Sequence, residues 1–89
     1  MELGTIYATK GVAERANQRP AFRAELSHIL ARYCFGDWGD LCPEDWEQNN
    51  RAVLASERIL GSYHTSEGKV WIITEWDRSA TTFLFPSEY

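Results

Sequence analysis

The chain has 89 residues, a formal net charge of −4 and 13% aromatic residues. A chain of this length forms one small domain, so we predict a single domain over residues 1–89 with a core of large aromatic side chains. Its longest apolar runs are too short to cross a membrane, and its first residues lack the pattern of a signal peptide. We therefore expect a cytoplasmic protein with no membrane partner.

Charge is unevenly distributed along the chain. Residues 1–36 carry five basic and three acidic side chains, a net +2, whereas residues 37–57 carry six acids and one arginine, a net −5. Residues 58–89 carry a net −1. The acidic middle segment argues against direct binding to a nucleic-acid backbone. It is typical either of a solvated helix face or of a docking surface for a basic partner.

The first half of the chain predicts a strand followed by two helices. A short strand pattern covers residues 3–9, and Thr9 can then cap a brief helix that ends before Pro20. Proline suits the first turn of the next helix, which we predict over residues 21–34. The apolar residues of that helix recur along one face: Phe22, Leu26, Ile29, Leu30 and Tyr33.

Residues 35–50, FGDWGDLCPEDWEQNN, contain a glycine loop and then the start of a third helix. Cys42 takes the N-cap position and Pro43 the first helical position. Acids crowd the first turn, where negative charge favours the helix dipole: Glu44, Asp45 and Glu47. We predict that this helix runs to residue 56 or 57. One side of it carries Trp46, Asn50, Val53 and Leu54.

The C-terminal third predicts a three-stranded antiparallel meander. We place its strands at residues 58–64, 69–76 and 81–85, separated by tight turns. The middle strand alternates, and both of its faces are expected to be covered. One face carries Val70, Ile72, Thr74 and Trp76, and the other carries Trp71, Ile73 and Glu75.

We therefore predict an α+β fold. Two or three helices pack on an antiparallel sheet of three strands, or of four if the N-terminal strand joins it. If that strand lies at the edge of the sheet, it offers a route to a dimer through sheet extension.

Glu75 is an acid within a predicted strand and belongs to the motif T-E-W-D-R-S. A partly buried carboxylate needs a cation or hydrogen-bond donors to stay ionised, and Arg32, Arg58 or Arg78 can serve. The alternatives are an arginine–carboxylate pair that ties the hairpin to the helices, or a catalytic acid. A pocket between the glycine loop and this turn would gather Asp37, Glu75, Asp77, Arg78 and Ser79.

The sequence carries no motif for catalysis or for a cofactor, and we predict no catalytic residue, no metal and no cofactor. Cys34 and Cys42 do not form a recognised zinc-ligand spacing with His28 and His64. We expect both cysteines to be reduced and to behave as small buried side chains. No triad order, phosphate-binding loop or dinucleotide-binding glycine pattern is present.

Four segments carry a resemblance to a known family. They are GDWGDL at residues 36–41, the pattern E-x-x-E-x-N at 44–49, RILGSY at 58–63 and WIITEWDRSATTFLFPSEY at 71–89. The combination resembles a family of small bacterial proteins of plasmids, prophages and chromosomes that share GDWGDL and WIITE-x-DRS-x-TT motifs. The chain departs from that family at Tyr33, where a histidine is common, and at Cys42, where an acid is common. The resemblance implies a mobile-element setting, in which small acidic proteins frequently block host defence complexes.

Three hypotheses for function follow. The first is a non-catalytic binding protein, such as an anti-CRISPR or anti-restriction inhibitor, that contacts a basic nucleic-acid-binding effector through exposed tryptophans and acids. Its partner-binding residues would be Asp37, Trp38, Asp40, Glu44, Trp46 and Glu47. The second is a small enzyme or ligand-binding module that uses the loop-and-turn pocket. The third is a structural domain whose own core is filled by Trp38. An exposed Trp38 favours the first hypothesis and a buried one the third.

Overall fold

The computed structural model describes all 89 residues and contains three α-helices and four β-strands. In chain order the elements are β1 (Thr5–Ala8), α1 (Lys10–Gln18), α2 (Pro20–Cys34), α3 (Pro43–Ala55), β2 (Ile59–Thr65), β3 (Gly68–Thr74) and β4 (Ala80–Leu84). A short 3₁₀ turn, Pro86–Glu88, follows β4. The predicted α+β class is confirmed. None of the helices combines the length and the apolar character that crossing a bilayer requires.

The four strands form one mixed sheet in the order β1-β4-β3-β2. The hairpins β2–β3 and β3–β4 are antiparallel, as their tight turns predict. β1 pairs with β4 in parallel, with Ile6 opposite Thr81, so the prediction of a wholly antiparallel sheet is wrong for this pair. The chain reaches β4 from β1 through three helices and two other strands, and no local turn fixes the relative direction of the two strands.

The three helices contribute to one hydrophobic core on one face of the sheet. On that face the cross-strand register aligns Gly61, Ile72 and Phe83 in one row and Tyr63 and Val70 in the next. The largest fully buried side chains are aromatic: Trp38, Tyr33, Tyr63 and Phe22. The prediction of an aromatic core is confirmed.

The side of α3 that faces the core is not its apolar side. An apolar stripe on a helix is normally the face that packs on the core. Here the buried residues are Asn49 and Ala52, while Leu54 is 88% exposed and Val53 is also exposed. Asn49 lies inward because its side-chain amide hydrogen-bonds with both backbone groups of Leu60 in β2. The apolar side of α3 is therefore left on the surface.

The C-terminal residues cover part of the opposite face of the sheet. Ile73 and Leu84 are buried there, and the Tyr89 ring packs edge-on against Trp71 with centroids 5.6 Å apart. Trp76 is 65% exposed, because β3 ends before it at Thr74. Its predicted place on a covered face of the strand is therefore wrong.

Candidate functional site

The glycine loop, residues 36–41, connects α2 to α3 and is held by an ion pair at its start. The Arg32 guanidinium donates from Nε to Asp37 Oδ2 at 2.7 Å and from Nη2 to Oδ1 at 3.3 Å. The backbone N–H of Gly39 donates to the same Oδ1 at 3.0 Å. Hydrogen bonding from Arg32, assisted by Gly39, lowers the pKa of the Asp37 carboxyl. The ionised Asp37 carboxylate therefore links Arg32 of α2 to the backbone of the glycine loop, and Arg32 neutralises its charge.

Trp38 is a core residue and not a surface anchor. Its side chain is 2% exposed and packs edge-on against Tyr33, with ring centroids 5.3 Å apart. The indole Nε1 donates to Asn50 Oδ1 at 3.0 Å, which satisfies the single donor of the ring. The expectation that Trp38 contacts a partner is therefore wrong, because the loop turns the indole inward against α2 and α3.

Gly39 brings the loop backbone against β2. Ser62 N donates to Trp38 O at 3.0 Å, and Asp40 N donates to Ser62 O at 2.6 Å, so the loop forms a short parallel bridge with the strand. Gly39 has a φ of +78°, and a Cβ at this position would collide with the Ser62 carbonyl. The loop can occupy the outer edge of β2 only because residue 39 is glycine.

The other residues of the predicted acidic surface are accessible. Asp40, Glu44 and Glu47 are exposed, and Trp46 is half-buried. The Trp46 Nε1 donates to Gly39 O at 3.1 Å, which orients the ring against the loop and leaves part of it on the surface. These four residues are accessible to a partner, whereas Trp38 is only 2% exposed.

The first turn of α3 favours the ionised form of one of its acids, Glu44. Cys42 is the N-cap residue, as predicted, and Glu44 and Asp45 follow in the first turn. Hydrogen bonds from the Glu44 N–H and from Cys42 lower the pKa of the Glu44 carboxyl. Cys42 and Cys34 are both free and exposed, so the expectation that they are buried is wrong.

The T-E-W-D-R-S segment, residues 74–79, is a junction between the sheet and α3. The Arg78 guanidinium donates to three backbone carbonyls: Ala52 O at 3.0 Å, Glu57 O at 2.7 Å and Glu75 O at 3.1 Å. Ala52 lies in the last turn of α3, where its carbonyl also accepts hydrogen bonds from the backbone N–H groups of Ser56 and Glu57, and Glu57 lies just beyond the helix. Arg78 therefore ties the β3–β4 turn to the C-terminal end of α3.

The carboxylates of this turn also have internal partners. Glu75 Oε1 lies 3.6 Å from Arg58 Nε, so the cation expected beside this acid is Arg58. Asp77 Oδ1 accepts hydrogen bonds from the Ser79 hydroxyl at 2.6 Å and the Ser79 N–H at 3.1 Å, which lower the pKa of its carboxyl. These contacts stabilise the turn and the start of β2.

The glycine loop and the T-E-W-D-R-S turn do not share a pocket. Gly39 lies beside Ser62 in the middle of β2, whereas Glu75 follows Thr74, which is opposite Ile59 at the start of β2. Three residues of a strand, about 10 Å, separate these positions. None of the three cavities of the structure is lined by residues of both segments. The predicted loop-and-turn pocket is therefore not formed.

Two open cavities, of about 380 and 360 Å³, instead lie along the apolar side of α3 and share one lining residue, Asn50. The larger is lined by Met1, Cys34, Gly36, Trp38, Asn50, Val53 and Leu54. The smaller is lined by Leu41, Pro43, Trp46, Glu47 and Asn50. We call this surface the α3 furrow.

The α3 furrow combines large exposed apolar side chains with negative charge. Leu54 lies in its wall, and Phe35, between the furrow residues Cys34 and Gly36, is 92% exposed. Glu47 lines the other end. A single exposed apolar side chain is ordinary, but several around one groove are typical of a contact surface.

Sequence reasoning missed Phe35 entirely and noted Leu54 only as part of one helix side. A signal for Phe35 was present, since it follows the last residue of α2 and stands outside the apolar stripe of that helix. For Leu54 no local signal existed, because contacts that form only in the folded chain, such as that between Asn49 and Leu60, decide which side of α3 is buried.

Comparisons of the chain with protein-family models, with curated proteins and with solved structures found no match.

Proposed function

We propose that this chain is a non-catalytic binding protein that docks a basic partner protein through the α3 furrow and the acids around it. The observation that carries the proposal is Leu54, which is 88% exposed on a helix whose opposite side is fixed against the sheet through Asn49. Removing a large apolar side chain from water on binding supplies affinity, and such residues form the centres of protein interfaces.

The negative charge around the furrow favours a positively charged partner. Residues 37–57 carry six acids against one arginine, and Arg32 matches the charge of Asp37. Among the remaining acids, Asp40, Glu44 and Glu47 are exposed near the loop and along α3. A surface of this kind attracts a positively charged protein and repels a nucleic-acid backbone.

The resemblance to proteins of mobile elements supports a more specific class of partner. The proposed target is a basic nucleic-acid-binding effector of a bacterial defence complex, of the CRISPR or restriction type, in the cytoplasm. An acidic protein that occupies the basic channel of such an effector competes with the nucleic acid for it. The chain would then act as an inhibitor by binding alone, without a catalytic residue or a cofactor.

A structural domain is the second candidate, and the burial of Trp38 favours it. In that case the glycine loop serves only to place the indole between α2 and α3. A catalytic or ligand-binding module is not proposed, because the residues predicted for its pocket are held apart by β2.

The test is binding to purified defence effectors of both types, measured with the tagged protein and two furrow variants, Leu54→Ser and Glu47→Lys. Each variant has a matched control at an exposed position outside the furrow: Trp76→Ser for the apolar change and Glu14→Lys for the charge change. Circular dichroism establishes that all four variants remain folded.

We expect an effector to bind the unmodified protein and both controls, and to bind each furrow variant about tenfold more weakly or worse, as for a residue at the centre of an interface. Raising the salt concentration should weaken the binding. If no effector binds, or if the furrow variants bind as well as their controls, the proposal fails and the structural domain is favoured.

A further inference from the structure

The two edges of the sheet are treated differently by the fold. At the β2 edge, Leu60 pairs with the Asn49 side chain and Ser62 pairs with the glycine-loop backbone, so the outward backbone groups of both residues have partners. At the opposite edge, all four residues of β1, Thr5–Ala8, are exposed. The β2 edge is therefore closed at Leu60 and Ser62, whereas the β1 edge is open along its whole length.

The backbone groups that β1 offers to solvent follow from its pairing with β4. Thr5 N donates to Ser79 O and Thr9 N donates to Phe83 O, both at 3.0 Å. In a parallel ladder alternate residues of a strand face the same neighbour, so Tyr7 also faces β4. The N–H and C=O groups of Ile6 and Ala8 therefore face outward and are free to pair with another strand.

β1 lacks the features that normally protect an edge strand. It contains no charged residue and no proline, and Ile6 and Tyr7 are each about half exposed, at 48% and 54%. Natural edge strands are commonly protected by lysine, proline, bulges or a covering element. An uncharged, apolar and accessible edge is a template for strand addition.

The sequence around β1 is complementary to itself in the antiparallel direction. Glu2 precedes Ile6 by four residues and Lys10 follows it by four. When two copies pair antiparallel about a twofold axis at Ile6, Glu2 of each copy lies opposite Lys10 of the other. Lys10 is free for this contact, because its pair with Glu14 is 4.0 Å long and both side chains are highly exposed.

We propose that β1 pairs antiparallel with β1 of a second copy of this chain, in the register that places the two Ile6 residues opposite each other. This register uses the outward backbone groups of Ile6 in both copies and joins the two sheets into one. No residue of β1 lines the α3 furrow, so pairing through β1 leaves the furrow of each copy open and the dimer presents two docking surfaces. Because the shared strand is short, the interface is small and the association is weak.

Sedimentation equilibrium of the full chain tests the proposal, at concentrations from about 10 µM to 1 mM, where small interfaces associate. The weight-average mass should rise from 10.2 kDa towards twice that value. Ile6→Lys and Ile6→Glu should each abolish the rise, because like charges then face each other across the axis. An equimolar mixture of the two variants should restore it, because unlike charges then meet. His64→Lys, which places a charge at an exposed position on β2, the opposite edge strand, should leave the rise unchanged.

A mass of 10.2 kDa throughout the concentration range for the unmodified chain would overturn the proposal. A dimer that survives both Ile6 substitutions would also overturn it and would identify another surface. Circular dichroism of each variant shows whether loss of the dimer occurs in a folded protein. If the single variants are unfolded, Ile6→Pro replaces them, because it removes the outward N–H that pairs with the second copy, and it should also abolish the rise.

Discussion

The Asn49 side chain on α3 pairs with the backbone of Leu60 as a neighbouring strand would. Its Nδ2 donates to Leu60 O at 2.7 Å, and its Oδ1 accepts from Leu60 N at 3.4 Å. Two residues further along β2, the loop backbone on either side of Gly39 makes the corresponding pair of hydrogen bonds with Ser62. A side chain and a loop thus complete the edge of the sheet, and they fix which side of α3 faces solvent.

Replacing Asn49 with alanine should lower the free energy of unfolding by about 2 kcal/mol, because the N–H and C=O of Leu60 then lose their partners at a partly buried site. Urea unfolding monitored by circular dichroism measures the change. Gln48→Ala, at the exposed neighbouring position of the same helix, is the control and should change stability by less than about 0.5 kcal/mol. Equal effects of the two substitutions would show that the Asn49 amide does not hold the edge.

Gly39→Ala should be clearly more destabilising than Gly36→Ala. Both glycines have positive φ angles, +78° and +82°, so both substitutions cost about 1 kcal/mol from the backbone conformation. Only at Gly39 would the added Cβ collide with the Ser62 carbonyl, whereas the space at Gly36 is open. The difference in free energy of unfolding between the two variants isolates the collision, and we expect it to exceed about 1 kcal/mol. Similar losses would mean that the loop does not depend on its close approach to β2.

Arg78→Lys should lower the free energy of unfolding by about 1 to 2 kcal/mol, although the charge is retained, because an ammonium group cannot reach three carbonyls as the guanidinium fork does. Arg51→Lys on the exposed part of α3 is the control, with little expected effect. Arg78→Gly should also be destabilising, even though Arg78 has a φ of 60° that glycine adopts without strain. A stabilising Arg78→Gly substitution would show that backbone strain outweighs the three hydrogen bonds that the guanidinium donates.

Glu88 joins the two ends of the chain at the N-terminus of α1. Its carboxylate accepts hydrogen bonds from the Thr9 hydroxyl at 2.6 Å, the Phe85 N–H at 3.0 Å and the Gly11 N–H at 3.0 Å. Thr9 was expected to cap α1 with its own side chain, but its hydroxyl donates to Glu88, which supplies the acceptor for the helix N-terminus instead. These hydrogen bonds lower the pKa of the Glu88 carboxyl, the Thr9 hydroxyl having the largest effect.

The lowered pKa of Glu88 predicts a pH-dependent contribution to stability. Because the folded pKa lies below the unfolded value, the contribution is fully present above the unfolded pKa and is lost as the pH falls through the folded one. Glu88→Gln should therefore reduce the free energy of unfolding at pH 7, by about 0.5 to 1 kcal/mol for a solvent-screened cap. The difference between the two proteins should shrink as the pH falls below the ordinary value of 4.5. Urea unfolding between pH 3 and 7 measures it, and a difference that stays constant over this range would contradict the assignment.

The predictable parts of this fold are those that local sequence determines. Pro20 and Pro43 mark the first turns of α2 and α3, and both helices begin where these residues predict. The β2–β3 and β3–β4 hairpins follow from alternating apolar residues between short turns. The direction of β1, by contrast, depends on a pairing between residues more than seventy positions apart in the sequence.

The candidate site was only partly predictable. Glu44 and Asp45 were placed correctly in the first turn of α3 because helix electrostatics acts locally, whereas Glu47 lies beyond that turn. The burial of the Trp38 side chain depends on the Arg32–Asp37 ion pair and on the close approach of Gly39 to Ser62. Both contacts form only in the folded chain. Sequence alone also could not show that Arg78 reaches the end of α3, because that contact crosses 26 residues.

Hydroxyl-radical footprinting of the chain, free and bound to a purified effector, tests the docking proposal most directly. Phe35 and Leu54 are 92% and 88% exposed in the free chain and should be oxidised rapidly, as should Trp76 at 65%. We predict that the bound effector protects Phe35 and Leu54 and leaves the oxidation of Trp76 unchanged. Protection of Trp76, with Phe35 and Leu54 oxidised as rapidly as in the free chain, would contradict docking through the α3 furrow.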